Sequence, residues 1–81
     1  MEFTIDSTVY TVERITAIAA CDGGKEENRQ DCLLVTDDDG TETAEYVVFG
    51  WEMPETEADF SEMSEDYSAW EPLDEDHKIK R

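Results

Sequence analysis

The stretch Asp31-Cys32-Leu33-Leu34-Val35-Thr36-Asp37-Asp38-Asp39-Gly40-Thr41-Glu42-Thr43-Ala44-Glu45-Tyr46-Val47-Val48-Phe49 sets two strand-forming runs on either side of an Asp-Gly pair. Asp-Gly between apolar runs is a hairpin signal, because glycine takes the positive φ that a tight turn demands and aspartate bonds the turn backbone. The reading is one strand over about 31–36, a second over about 43–51, and Asp37-Asp38-Asp39-Gly40 as the turn that joins them. Leu33-Leu34-Val35 and Val47-Val48-Phe49 are continuous rather than alternating, so at least one of these strands has to be covered on both faces.

Upstream, Phe3 and Ile5 alternate with polar residues, Asp6-Ser7-Thr8 is a turn signal, and Thr8 to Ile18 is rich in β-branched residues. Val9, Val12, Ile15, Ile18 and Ala19 also fit a helical spacing. Strand is the better reading, since Val, Ile and Thr lose rotamer freedom in a helix and pack well on a pleated surface. Asp22-Gly23-Gly24 ends that element, and 25–29 reads as a polar loop.

Downstream, a helix is expected after Pro54. Thr56 and Asp59 have capping-box spacing, and Glu57 and Asp59 set negative charge where the helix dipole favours it. Phe60, Met63, Tyr67 and Trp70 then recur at intervals of three, four and three, one stripe within about 80° of arc at 100° per residue, and Pro72 ends the run. Residues 73–81 read as a flexible polar tail. The expected fold is α+β: a small antiparallel sheet of three or four strands with one C-terminal helix packed on a face, forming a single domain over 1–72.

The chain has 81 residues, with 23 Asp and Glu against 6 Lys and Arg, a formal net charge of -17. Fifteen Leu, Ile, Val and Phe supply a small core at the edge of what a charged chain needs to fold, and eight aromatics strengthen it. The distribution of charge is more informative than its sum. Residues 31–76 hold seventeen acids and no Lys or Arg, whereas Lys78, Lys80 and Arg81 close the chain. Such a balance excludes direct binding to nucleic acid or to an anionic membrane face. It points to a basic partner.

On the expected helix, Asp59, Glu62 and Asp66 lie three and four apart on the side away from the aromatic stripe, with Glu65 nearby. Their axial spacing of about 4.5 to 6 Å compares with about 3.4 Å per phosphate along one DNA strand. Asp37, Asp38 and Asp39 form a second cluster at the hairpin tip, followed by Glu42 and Glu45. Ordered carboxylates at roughly phosphate density suit a protein groove built for nucleic acid. The expected function is therefore that of an acidic nucleic-acid mimic inhibiting a basic nucleic-acid-binding protein. Size and composition match those of phage and mobile-element anti-defence proteins, of anti-restriction or anti-CRISPR type, whose targets are nucleases and CRISPR effectors. No family signature accompanies that analogy.

Two other readings compete. The acids can serve solubility or salt adaptation alone, while an apolar surface near Trp51 makes a small accessory or adaptor protein. Trp51, between Gly50 and Glu52-Met53-Pro54, either packs under the helix or stands as a contact anchor ringed by Glu52 and Glu55.

Other sites fail on spacing. An EF-hand with Gly40 at its sixth position would put Val35 and Tyr46 where carboxylates are required. Cys21, Cys32 and His77 lack the paired spacings of a zinc site, and the two cysteines read as buried thiols rather than a disulfide. No nucleophile motif, phosphate loop or selected carboxylate pair appears, so neither an enzyme nor a bound cofactor or metal is expected. Ile18-Ala19-Ala20-Cys21 mimics a lipoprotein cleavage site but follows a segment carrying Glu2, Asp6, Glu13 and Arg14. A cytoplasmic protein, monomeric or dimeric, is expected.

Overall fold

The computed structural model describes residues 1–19, 23–73, 79 and 81, with Tyr67 described by its backbone alone. Five strands form one antiparallel sheet in sequence order: β1 (Glu2–Ile5), β2 (Thr8–Ala17), β3 (Gln30–Asp38), β4 (Thr43–Val48) and β5 (Trp70–Pro72). One helix, α1 (Glu57–Glu65), lies between β4 and β5 in the chain. The α+β class is as expected, but the sheet has a fifth strand and the helix is shorter than the aromatic stripe implied.

Both hairpins form at the turn signals, but the second turn spans 39–42 rather than 37–40, because Asp37 and Asp38 extend β3 and pair with Ala44 and Thr43. Ile5 pairs with Thr8 across a two-residue turn in which Asp6 and Ser7 both have positive φ, 49° and 69°. Consecutive left-handed residues match the twist of the flanking strands, at a steric cost to any residue but glycine. Ser7→Gly is accordingly expected to stabilise the domain by about 0.5–1 kcal/mol and to raise its Tm by roughly 2–8 °C, as thermal unfolding would show. At the second hairpin, Asp38 pairs with Thr43, and Gly40 has φ 93°.

Alternation then sorts the side chains. Phe3, Tyr10, Val12, Leu33, Val35, Tyr46, Val48 and Trp70 face one way and meet α1 through Phe60 and Met63. Phe60 is fully buried, stacked on Phe3 at 4.9 Å between ring centroids and close to Tyr10 at 5.0 Å and Trp70 at 6.0 Å. The opposite face gathers Ala17, Cys32 and Val47 with Ile15, Phe49, Leu73 and Ile79. Cys32, Leu33, Leu34 and Val35 are all buried, so β3 is covered on both faces, as its continuous apolar run requires.

α1 starts as its sequence dictates. The Thr56 hydroxyl accepts the Asp59 N–H at 3.1 Å, capping a first turn that carries Glu57 and Asp59. Its end differs from expectation. At Asp66 the backbone leaves the helical region (φ -93°, ψ 53°), a short 3-10 turn spans Tyr67–Ala69, and Trp70 falls on β5. Asp, Tyr and Ser are weak helix formers, and the residue before a proline avoids the α region, so Glu71-Pro72 favours a strand. Pro72 fits there because β5 is an edge strand. Trp70 still serves the helix: its indole Nε1–H donates to the Met63 carbonyl at 3.3 Å, a helix-end acceptor that also takes the Asp66 N–H at 3.2 Å.

The segment read as a tail falls partly outside the described residues. Of those described, the Leu73 N–H donates to the Glu45 carbonyl at 2.9 Å, Ile79 packs on the second face, and Arg81 donates to Glu13 at 3.3 Å. The single domain is expected over 1–72; Leu73 and Ile79 add to its second cluster, around Ala17, Cys32 and Val47.

Candidate acidic partner interface

The acidic residues fall into three groups. The first is at the tip of the β3–β4 hairpin. There the Asp39 carboxylate accepts the Thr41 N–H at 2.9 Å, the Thr41 hydroxyl at 2.7 Å and the Glu42 N–H at 3.0 Å, and the Asp38 carboxylate accepts the Gly40 N–H at 3.0 Å. Two of the three aspartates are thus tied into their own turn. These bonds lower the Asp39 carboxyl from its ordinary 3.8 to about 2. Asp37 points to the helix-covered face, opposite Tyr10, and is raised by burial first and by Asp39, Asp38 and Glu42 next.

These opposite shifts predict the order of acid titration. Asp39 has a folded pKa below its ordinary value, so its contribution to the turn is complete above about 3.8 and is lost as pH falls through about 2. Asp37 acts with the opposite sign: it takes its proton first and favours the folded state on becoming neutral. An NMR titration should show the Thr41 and Glu42 amides moving only near pH 2, and Asp39→Ala should abolish that transition. A common midpoint for Asp37 and Asp39 would contradict the geometry.

Glu45 stands apart from its neighbours. Alternation with Tyr46 turns it to the face opposite α1, where it pairs across the sheet with Thr36. It lines a shallow depression of about 640 Å³ with Thr43, Ala44, Tyr46, Pro72 and Leu73, where β5 stops short of the start of β4.

The third group is on α1 and the segment that leads into it. Glu62, Glu65 and Asp66 are exposed, as is Asp59. At 100° per residue, Glu65 projects almost directly away from the buried Phe60–Met63 face, while Asp59 flanks that face rather than opposing it. Asp59 and Glu62 consequently border an open groove of about 450 Å³ with Trp51, Met53, Glu52 and Glu55, above the buried Pro54. Sequence reasoning named Trp51, Asp59 and Glu62 separately, and the structure brings them together. Glu65 and Asp66 continue the negative surface beyond the groove at the end of α1, which has no basic residue in its last turn.

Trp51 reconciles the two roles considered for it. It is half-buried, packed against the main core, and also lines the groove. Its indole Nε1 makes no hydrogen bond among the described residues, in contrast to that of Trp70. Among the described residues the carboxylates of Glu52, Glu55, Asp59 and Glu62 likewise have no ion-pair or hydrogen-bond partner. Two bases are held internally: Arg29 binds Glu26 in bidentate fashion at 2.7 and 2.8 Å, and Arg81 binds Glu13.

Cys32 is a buried free thiol, raised by burial first and by Asp31 second; Cys21 and His77 lie outside the described residues. Among the described residues, no group of three or more His, Cys, Asp or Glu is arranged to hold a metal ion, and no helix is long and apolar enough to cross a membrane. The fold and this surface define a class: a small α+β domain, a five-stranded meander with one helix, bearing an acidic surface around an indole-lined groove. No protein-family model matches the chain, and no curated protein or solved structure matches it either.

Proposed function

We propose that this protein is an acidic nucleic-acid mimic that occupies the basic groove of a nucleic-acid-binding protein in the cytoplasm. The observation that carries the reading is the state of the α1 carboxylates. Glu62 and Glu65 are exposed on a helix fixed to the core by Phe60 and Met63, and neither has a cationic partner among the described residues. Placing Glu65 and Asp66 at the negative end of the helix dipole costs each about 0.3–1 kcal/mol. A rigid element that carries unpaired charge at a cost to its own stability is suited to an external partner that supplies the cations. The hairpin tip adds Asp37, Asp38, Asp39 and Glu42 as a second negative site, with its geometry held by the turn.

The target class is a nuclease, repressor or CRISPR effector, and the role is anti-defence inhibition of the kind that phage and mobile elements deploy. The tagged chain, used to capture proteins from a bacterial lysate, tests this. Recovered proteins should be nucleic-acid-binding, should be released between about 0.1 M and 0.5 M salt, where the screening length falls by roughly half, and should also be released by added duplex DNA. Recovery only of proteins that resist both treatments would refute the mimic. It would favour the adaptor reading, in which Trp51 and Met53 supply an apolar contact that strengthens or holds steady with salt.

A further inference from the structure

We infer that the groove beside Trp51 receives an arginine side chain of the basic partner, its guanidinium laid on the indole face and ringed by Glu52, Glu55, Asp59 and Glu62. The inference rests on the proposed acidic-interface function and adds to it a specific residue type and a specific place.

Three features of the groove select a guanidinium. Its rim carries four carboxylates without partners among the described residues, so a cation entering it gains attraction and displaces no ion pair among them. Its wall is an indole that makes no ring contact or hydrogen bond among the described residues, whereas Phe3, Tyr10, Tyr46, Phe60 and Trp70 are engaged with one another. Its base includes Met53 and buried Pro54, which give an apolar seat for a side-chain stem. Apolar wall and acidic rim together complement a side chain that is both flat and cationic.

Arginine meets these demands better than lysine. The guanidinium is planar, more weakly hydrated than an ammonium, stacks on aromatic faces and presents several donors in one plane to surrounding carboxylates. Lysine is a compact, strongly hydrated charge that a mere cluster of acids would accept as readily. The helix and hairpin acids away from Trp51 supply charge alone and carry no such preference. Discrimination between the two cations therefore reports the groove, while total cation affinity reports the acidic surface.

The test is a titration of the full chain with hexa-arginine and with hexa-lysine at low salt, followed by tryptophan fluorescence and by calorimetry. Trp70 is 5% exposed with its indole N–H bonded, so an emission change on peptide binding reports Trp51. Hexa-arginine should bind about three- to tenfold more tightly than hexa-lysine and perturb Trp51, a range expected for a cation–π contact at a partly exposed site. Trp51→Leu should abolish the preference and leave hexa-lysine affinity within about twofold. Glu52→Gln with Glu55→Gln, both at exposed positions that leave the core intact, should shrink the preference with the indole in place. Equal affinities for the two peptides, or a preference that survives both variants, would overturn the inference. If equal affinities fell together on charge reversal of Glu62, Glu65 and Asp66, the acidic-interface function would stand without the groove. Absence of binding by either peptide would remove both.

Discussion

Phe60→Ala is expected to leave the chain largely unfolded at 25 °C. Phe60 is fully buried and is the residue through which α1 reaches Phe3, Tyr10 and Trp70. Truncating a buried phenylalanine costs about 3–5 kcal/mol, from lost transfer free energy and the cavity left behind. A domain of this size has a total stability of roughly 4–12 kcal/mol at typical values per residue. Two features place this protein in the lower part of that range: a net charge of -17, which opposes compaction, and a helix of nine residues, which is too short to persist without its packed face. Urea unfolding followed by circular dichroism at low salt should show loss of the folded baseline. Molar salt should partly restore it by screening the repulsion. A cooperative transition shifted by less than about 1 kcal/mol would mean that the aromatic cluster does not hold α1 to the sheet.

The second large effect separates binding from stability. The triple variant Glu62→Lys, Glu65→Lys, Asp66→Lys should lose at least a hundredfold in affinity for the basic partner while gaining about 1 kcal/mol in unfolding free energy. Each reversal changes the charge by two, so the net charge falls from -17 to -11, and two lysines then sit at the end of α1 where the dipole favours cations. At an interface, close charge pairs contribute on the order of 1.5 kcal/mol or more each, and replacing attraction by repulsion costs further. Opposite changes in the two quantities would be the signature of acids retained for a partner rather than for the fold. Equal binding by a more stable variant would show these positions to be solvated surface.

Much of the fold is legible in the sequence because turn chemistry and burial act locally. Asp-Gly at 39–40, the β-branched run of β2 and the Thr56 cap each state their structure within a few residues. The end of α1 was not legible in the same way. Phe60, Met63, Tyr67 and Trp70 keep helical spacing, yet Trp70 reaches the same core from β5 after the chain has turned back. Periodicity records that Phe60, Met63 and Trp70 are buried but not which element carries each of them. The weak helix formers Asp66-Tyr67-Ser68 and the pre-proline position of Glu71 were the available signals for the fifth strand.

The acidic interface was legible as composition and not as geometry. The base-free stretch named the acids, but strand alternation sends Glu45 to the opposite face, and the turn ties Asp38 and Asp39 to its own amides. The alternation of Glu45 with Tyr46 could have revealed the first of these. The groove could not be foreseen, because Trp51 and Asp59 become neighbours only when the segment after β4 folds against α1. That juxtaposition is a product of packing, and it joins the apolar and acidic readings of the surface in one place.

Competition with DNA for the captured partner tests the central claim most directly. With the partner held at fixed concentration, this protein should displace bound duplex DNA completely. Its own affinity should fall steeply on a plot of log K against log salt, as counterion-coupled binding of several charges requires. Formation of a ternary complex of partner, DNA and this protein, or an affinity that does not change with salt, would contradict nucleic-acid mimicry.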